Sequence, residues 1–238
     1  MRYLLVIMFI FFIFSGISQA HPTDVQTTPQ SSFLDNLWGQ YIRSSSLQFA
    51  IYSYKPELGD LNNVLRNVGI TNTPVALMPT LSIVLQHIPE LDSRLELGYW
   101  STELQTPGQN PLFLSASLIP FSYQLIYRPV LLYQYLPIYI GAGFGVLRSN
   151  FSGNIVDLLN QQGIAISNSG SSTTGYVFAG IELFHWKPTT GTHANIGNNA
   201  SITIEFKRIL KSIETTGTLP LNIILDGTAI GLGVSTQF

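Results

Sequence analysis

Hydrophobic and polar positions alternate with period two along most of the chain, most clearly in its last stretch. From Thr228 onward, Ile230, Leu232, Val234, Thr236 and Phe238 share one face, and Ala229, Gly231, Gly233, Ser235 and Gln237 share the other. Alternation of this kind specifies a β-strand with two unlike faces. The small, polar face would make a poor core, whereas the large, apolar face is continuous. A strand that turns its large side outward and its small side inward fits a barrel wall in lipid.

Seven earlier segments read as strands. Near Leu47–Lys55, the residues Leu47, Phe49 and Ile51 oppose Gln48, Ala50 and Tyr52. In 76–87, Leu81, Ile83 and Leu85 oppose Ser82, Val84 and Gln86, and in 94–104 Leu95, Leu97 and Tyr99 oppose Arg94, Glu96, Gly98 and Trp100. In 138–149, Ile140, Ala142, Phe144 and Val146 oppose Gly141, Gly143 and Gly145, a glycine row that calls for room inside. In 174–186, Val177, Ala179, Ile181 and Leu183 point outward, with Gly180, Glu182 and Phe184 inward. In 201–211, Ile202, Ile204 and Phe206 oppose Thr203, Glu205 and Lys207. The segment 112–128 is the exception: Leu114, Ala116 and Leu118 alternate with serines, but beyond Pro120 Tyr123, Leu125 and Tyr127 take the other parity. A one-residue slip turns every side chain over, so a bulge or bend is expected near Pro120.

Two stretches switch to a helical period. Leu61, Val64, Leu65 and Val68 predict a short helix between Asp60 and Gly69, and Asp157 to Gly163 repeats the pattern. A third short amphipathic helix is expected over Phe33–Ile42, behind a flexible Thr/Gln/Pro/Ser-rich lead-in from His21. The architecture predicted is all-β: an eight-stranded antiparallel up-and-down transmembrane β-barrel over 45–238, with short helical inserts in two loops and a lead-in over 21–44. An even strand number brings both ends of the chain to the same side.

Composition narrows the picture. Charged residues are 10% of the 238, and no segment after residue 20 is an unbroken apolar run of the ~20 residues a membrane helix needs. A hydrophobic chain without spanning helices must place its apolar surface in a core or against lipid as a barrel. Residues 1–20 read as a cleaved secretory signal: Arg2, the apolar run Tyr3–Phe14, and the small-x-small site Ser18-Gln19-Ala20. The alternative is an N-terminal anchor. Cysteine is absent, which excludes disulfides, thiolate metal sites and a cysteine nucleophile.

The segments Y-I-G-A-G-F-G-V at 139–146, G-Y-V-F-A-G-I-E-L-F at 175–184, S-I-T-I-E-F-K at 201–207 and the closing strand together resemble the small eight-stranded outer-membrane barrels of Gram-negative bacteria, of the outer membrane protein A and X kind. Ile230, Leu232, Val234 and Phe238 resemble that family's C-terminal insertion signal, although Thr236 stands where an aromatic is usual. The resemblance implies an outer-membrane protein with a structural or surface-interaction, adhesion-like role and no separate peptidoglycan-binding domain. It also implies contact with outer-membrane lipid and lipopolysaccharide, and with the barrel-assembly machinery through the last strand. The inserts 56–74 and 151–172 should then face outside and offer contact surfaces for an extracellular ligand.

Arg94, Glu96, Arg128, Glu182, Glu205 and Lys207 fall on expected inner faces. Charge inside a small barrel must be paired or hydrated, and eight strands leave an interior that side chains fill. A lumen polar network that plugs the barrel is expected; a narrow porin or small-solute channel is the alternative. A soluble lipocalin-like carrier and a lipid-modifying enzyme are further alternatives. The outer-membrane lipid A deacylases carry a His-x-Ser-Asn run, and neither His87, His185 nor His193 lies in one. No catalytic residue, cofactor or metal site is expected, and the charge balance does not suit a nucleic-acid binder.

Overall fold

The computed structural model describes residues 42, 44–70, 75–107, 110–129, 136–163, 169–186, 199–214 and 222–237. The expected signal segment, the helix over Phe33–Ile42 (apart from Ile42), His193 and Phe238 lie outside these residues. The strands are β1 (Ser44–Pro56), β2 (Ala76–Ile88), β3 (Leu91–Gly98), β4 (Trp100–Gln105), β5 (Phe113–Tyr127), β6 (Ile138–Ser152), β7 (Ser169–Trp186), β8 (Asn199–Leu210), β9 (Ser212–Glu214), β10 (Asn222–Ile224) and β11 (Gly227–Gln237). The helices are α1 (Asp60–Asn67) and α2 (Asn154–Gln161).

Each wall strand pairs antiparallel with its sequence neighbour, and β11 closes on β1, with Phe49 opposite Val234 and Ile51 opposite Leu232. β3 and β4 are one wall strand interrupted at Tyr99, because Leu97 opposite Phe121 and Trp100 opposite Leu118 keep one register. The interruption has a cause on each flank. The Tyr99 N–H donates to the Pro79 carbonyl at 3.1 Å, but a proline returns no N–H. On the other side Gly98 packs against Pro120, which likewise has no donor for the ladder. The wall is therefore an eight-stranded antiparallel barrel.

The large outward residues of the expected pattern are exposed: Phe49, Leu95, Leu97, Phe144, Val177, Ile204, Phe206, Ile230, Leu232 and Val234 are among them. Behind them lie Arg94, Glu96, Gln124, Glu205 and Lys207, all buried. An exposed apolar belt encircling a polar interior is a lipid-facing wall, since water would favour the opposite arrangement. On β5 the belt runs from Ile119 to Tyr127, nine residues, about the length that crosses a bilayer as a tilted strand.

Above this belt the wall turns inside out. Ser101 on β4, Ser117 on β5, Asn150 on β6 and Ser171 and Thr173 on β7 face outward, while Trp100, Leu114, Leu118, Leu147, Phe151 and Tyr176 are buried within. That is the ordinary arrangement of a β-barrel in water. β2, β5 and β8 each depart from it at one position, with Leu77, Phe113 and Leu210 still outward. The same strands thus form a membrane barrel in one half and a water-type barrel, or collar, in the other.

This inversion corrects the expectation at Pro120. β5 runs from Phe113 to Tyr127 with even-numbered residues inward throughout and unbroken pairing to β6, so there is no bulge. The side chains keep their sides; the solvent outside the wall changes. A further correction concerns a strand end. A register shift between Glu182 and Phe184 leaves Leu183 as an extra residue and turns Phe184 outward, where it is 67% exposed. The closing strand β11 begins at Gly227, and before it β10 pairs with β9 as a separate ribbon.

Both inserts form helices at the collar end. α1 lies between Gly59 and Gly69 and α2 between Gly153 and Gly163, all four glycines at positive φ and ten positions apart in each case. α1 ends in a Schellman motif: Gly69 N–H bonds to the Arg66 carbonyl at 3.0 Å and Ile70 N–H to the Leu65 carbonyl at 2.8 Å. Leu61 and Leu65, one turn apart, are buried, as are Ile155, Val156 and Leu159 of α2. Each fully buried aliphatic side chain contributes about 2 kcal/mol, so a few suffice to seat an eight-residue helix.

The inversion makes a contrast within one strand. Ala142→Arg, outward at the middle of the belt on β6, should lower unfolding stability in lipid vesicles by about 2–4 kcal/mol. Asn150→Arg, outward on the same strand in the collar, should change it by no more than about 0.5 kcal/mol. Denaturant titration of the two variants checks this; equal costs would mean that the belt does not end where the structure ends it.

Candidate functional site: a lumen sealed at two levels

Strands four places apart in a ring of eight face each other across the lumen, and the wall strand β3–β4 therefore faces β8. β3 carries Arg94 and Glu96 on successive inward positions; β8 carries Glu205 and Lys207. The order of charge is reversed between them, so each residue meets its opposite. Arg94 Nη1 lies 2.8 Å from Glu205 Oε2, and Arg94 Nη2 donates to Glu205 Oε1 at 3.1 Å, a bidentate pair. Lys207 Nζ lies 2.7 Å from both Glu96 carboxylate oxygens and 3.2 Å from Glu205 Oε1. Two positive and two negative charges sum to zero, and Lys207 is fully buried.

Uncharged groups complete the shell. Tyr52 and Tyr139 donate their hydroxyls to the two Glu205 oxygens at 2.8 and 3.0 Å. The Gln124 side-chain oxygen accepts from Arg94 Nε at 2.8 Å and also from Nη2. Its amide nitrogen donates to Glu96 at 3.2 Å and to Ser122 at 2.6 Å. The Arg94 guanidinium lies over the Phe178 ring at 4.4 Å, and the Lys207 ammonium over Tyr52 at 4.4 Å. Phe178 fits because Gly141 leaves its place empty: a Cβ there would overlap the ring, as one at Gly231 would overlap Tyr52. Gly141 and Gly231 thus make room for aromatic side chains from neighbouring strands, whereas a Cβ at Gly143 or Gly145 would meet the β5 backbone at Tyr123 and Phe121.

Toward the end where β1 begins and β11 ends, a cavity of about 30 Å³ lies beneath Arg94, bordered by Gln48, Arg128, Tyr139, Glu182 and Thr203. It has room for a couple of waters. In the other direction the lumen is filled by the apolar collar core. Tyr54 packs edge-on against Trp100 at 5.7 Å, and α1, α2 and Ile223 and Leu225 of the β9–β10 ribbon join the same cluster. α2 is fastened at its first residue: Asn154 accepts from the Phe113 N–H at 2.5 Å and donates to the Pro111 carbonyl at 3.3 Å.

No family model matches the chain, and no curated protein does. Among solved structures it is similar to Neisserial surface protein A, at 12% identity and TM-score 0.43 over 82% of this chain and 97% of that one. The outer membrane protein OprG from Pseudomonas aeruginosa aligns at 11% identity and TM-score 0.46 over 83% and 97%. The attachment invasion locus protein Ail of Yersinia pestis aligns at 13% and TM-score 0.41 over 82% and 97%.

Of the six charged residues read from the sequence, the structure brings Arg94, Glu96, Glu205 and Lys207 into one cluster. Arg128 stands apart, in an ion pair with Asp92 and above the Tyr139 ring at 5.9 Å. Glu182 is buried at the cavity edge with Arg128. Asp92, Gln48, Gln124, Tyr52 and Tyr139 were missed; the available signal was, for Asp92, its inward parity with Arg94 and Glu96 and, for the others, an amide or phenol at an inward position of a strand with large apolar outward neighbours. His87 sits at a bulge on the outer wall near the end where β1 begins, its Nε2 2.8 Å from the Ser93 hydroxyl. That hydroxyl lies covered on a lipid-facing surface, and the ring gives it a partner.

Removing one member of a buried ion network leaves an uncompensated charge. Lys207→Met should lower stability by about 3–5 kcal/mol, and adding Glu96→Gln, which restores neutrality, should recover most of the loss. Denaturant midpoints of the single and double variants measure this. A double variant as unstable as the single would show that the charge balance is not what matters.

Proposed function

We propose that the protein is a closed, non-enzymatic barrel of the outer membrane whose role is structural or adhesion-like, exerted at the collar end. The observation that carries this reading is the double seal: a neutral ion network at lipid height and an apolar, helix-capped core above it. The lipid-facing belt supports residence in a membrane, and a barrel that begins behind an export signal is suited to the outer one. The polar faces of α1 and α2, including Asn63, Asn67 and Gln161, are exposed and available to a partner. On this reading Ile230, Leu232 and Val234, outward on the closing strand β11, are what the barrel-assembly machinery meets.

A narrow pore is the second reading, favoured by the cavity below Arg94. Conductance in planar bilayers separates the two. The purified, heat-shiftable protein should give no steady channel, whereas Arg94→Ala/Lys207→Ala combined with deletion of residues 60–67 should leak. Steady conductance of the unaltered protein would replace the first reading with the second.

A further inference from the structure

The outward-facing Lys and Arg residues of the described wall strands are Lys55, Arg148 and Arg208, and all three lie at the collar margin of the belt. Two of the three share a row: Lys55 on β1 pairs with Thr228 on β11, and Thr228 pairs with Arg208 on β8. With neighbouring strands about 4.8 Å apart, the two backbones lie roughly 10 Å from each other, a gap that two long side chains close easily. The Thr228 hydroxyl lies between them. One step lower, the row reads Ser53, Ile230, Phe206, and the next is Ile51, Leu232, Ile204, which faces acyl chains.

We propose that Lys55, Thr228 and Arg208 seat the phosphate of a glycolipid headgroup in the leaflet at the collar end. The phosphate takes the guanidinium fork and the ammonium, and its acyl chains lie along Ile230, Phe206 and Ile51. The sugar belongs to the same zone, where Ser101, Ser117, Asn150 and Ser171 face outward on β4–β7, with Glu103 and Phe113 nearer the rim. A carboxylate modulates the site. Glu57 binds Arg208 at 2.8 Å in a pair that is half open to water. Such a pair is weak and screened, so a phosphate can take over the Arg208 donors. The lipid, not free phosphate, is the occupant because the cations sit directly above the acyl-facing rows.

The proposal rests on the reading of the wall as lipid-embedded, and one experiment tests both separately. Folded full-length protein in neutral detergent is titrated with bisphosphorylated lipid A, and the temperature at which its heat-shifted gel band is lost is recorded. That temperature should rise saturably. Lys55→Gln/Arg208→Gln should need roughly 25-fold more lipid A, each cation near a membrane surface contributing about fivefold. Glu57→Gln, which frees Arg208, should need less than the unaltered protein, and Arg148→Gln should match it. Dephosphorylated lipid A and inorganic phosphate should have no such effect. An unchanged response in the double variant overturns the site, and an equal response to inorganic phosphate overturns the lipid as its occupant. A protein with no heat-shifted band at all fails the barrel reading itself, while a band that shifts without any lipid response fails only this proposal.

Discussion

Everything in this molecule follows from where hydrocarbon gives way to water along the outside of the wall. A β-strand has two faces and must commit each to a side, but the side that should be apolar depends on the solvent beyond it. Below the margin the outer solvent is lipid, so Ile140, Phe144 and Leu232 point outward and the polar residues inward. Above it the outer solvent is water, so Leu118, Leu147 and Phe151 point inward and serines outward. No bulge is needed at the crossing: β5 passes through it in continuous register, with Pro120 on the inner face, and β3–β4 keeps its register across the break at Tyr99.

The two halves of the interior have different requirements as a consequence. In the collar the apolar residues form a core that needs a roof, and two short helices and the base of a ribbon supply it. At lipid height the inward side holds charges, and these are tolerable only with full pairing. Bidentate and bridging ion pairs, two phenols, an amide and two aromatic rings around Arg94 and Lys207 meet that demand. The seal is thus built from opposite chemistries, each the one its level allows.

The period-two pattern made the strands, their number and the closing of β11 on β1 legible, because side-chain parity is a local property. The inner charges were legible for the same reason. Which charge meets which was not, since Arg94 and Glu205 come together only when the barrel closes. The expected bulge at Pro120 arose from applying one rule of polarity to a wall with two outer solvents. Phe184 was misplaced because the extra residue at Leu183 leaves no trace in an alternating sequence. The glycine row of β6 was read as space; the rings that fill the places at Gly141 and Gly231, Phe178 and Tyr52, come from other strands and so could not be named. The helices were visible through their period and bracketing glycines, but their seating in the mouth depends on the collar core, which the single polarity rule concealed.

The reversed order of charge on the facing strands has a further consequence for self-recognition. The chain is laid out as two four-stranded halves, each beginning with a strand, a ten-position glycine-bracketed helix and a return strand. Were two copies of the first half to close on each other, Arg94 would face Arg94 and Glu96 would face Glu96. Like charges juxtaposed in a dry interior cost several kcal/mol. The halves therefore behave as a lock and its own key: each closes with the other and rejects its twin. In a crowded membrane, where open sheet edges from many copies meet during assembly, the lumen itself biases the chain toward closing on itself and away from exchanging strands with its neighbours.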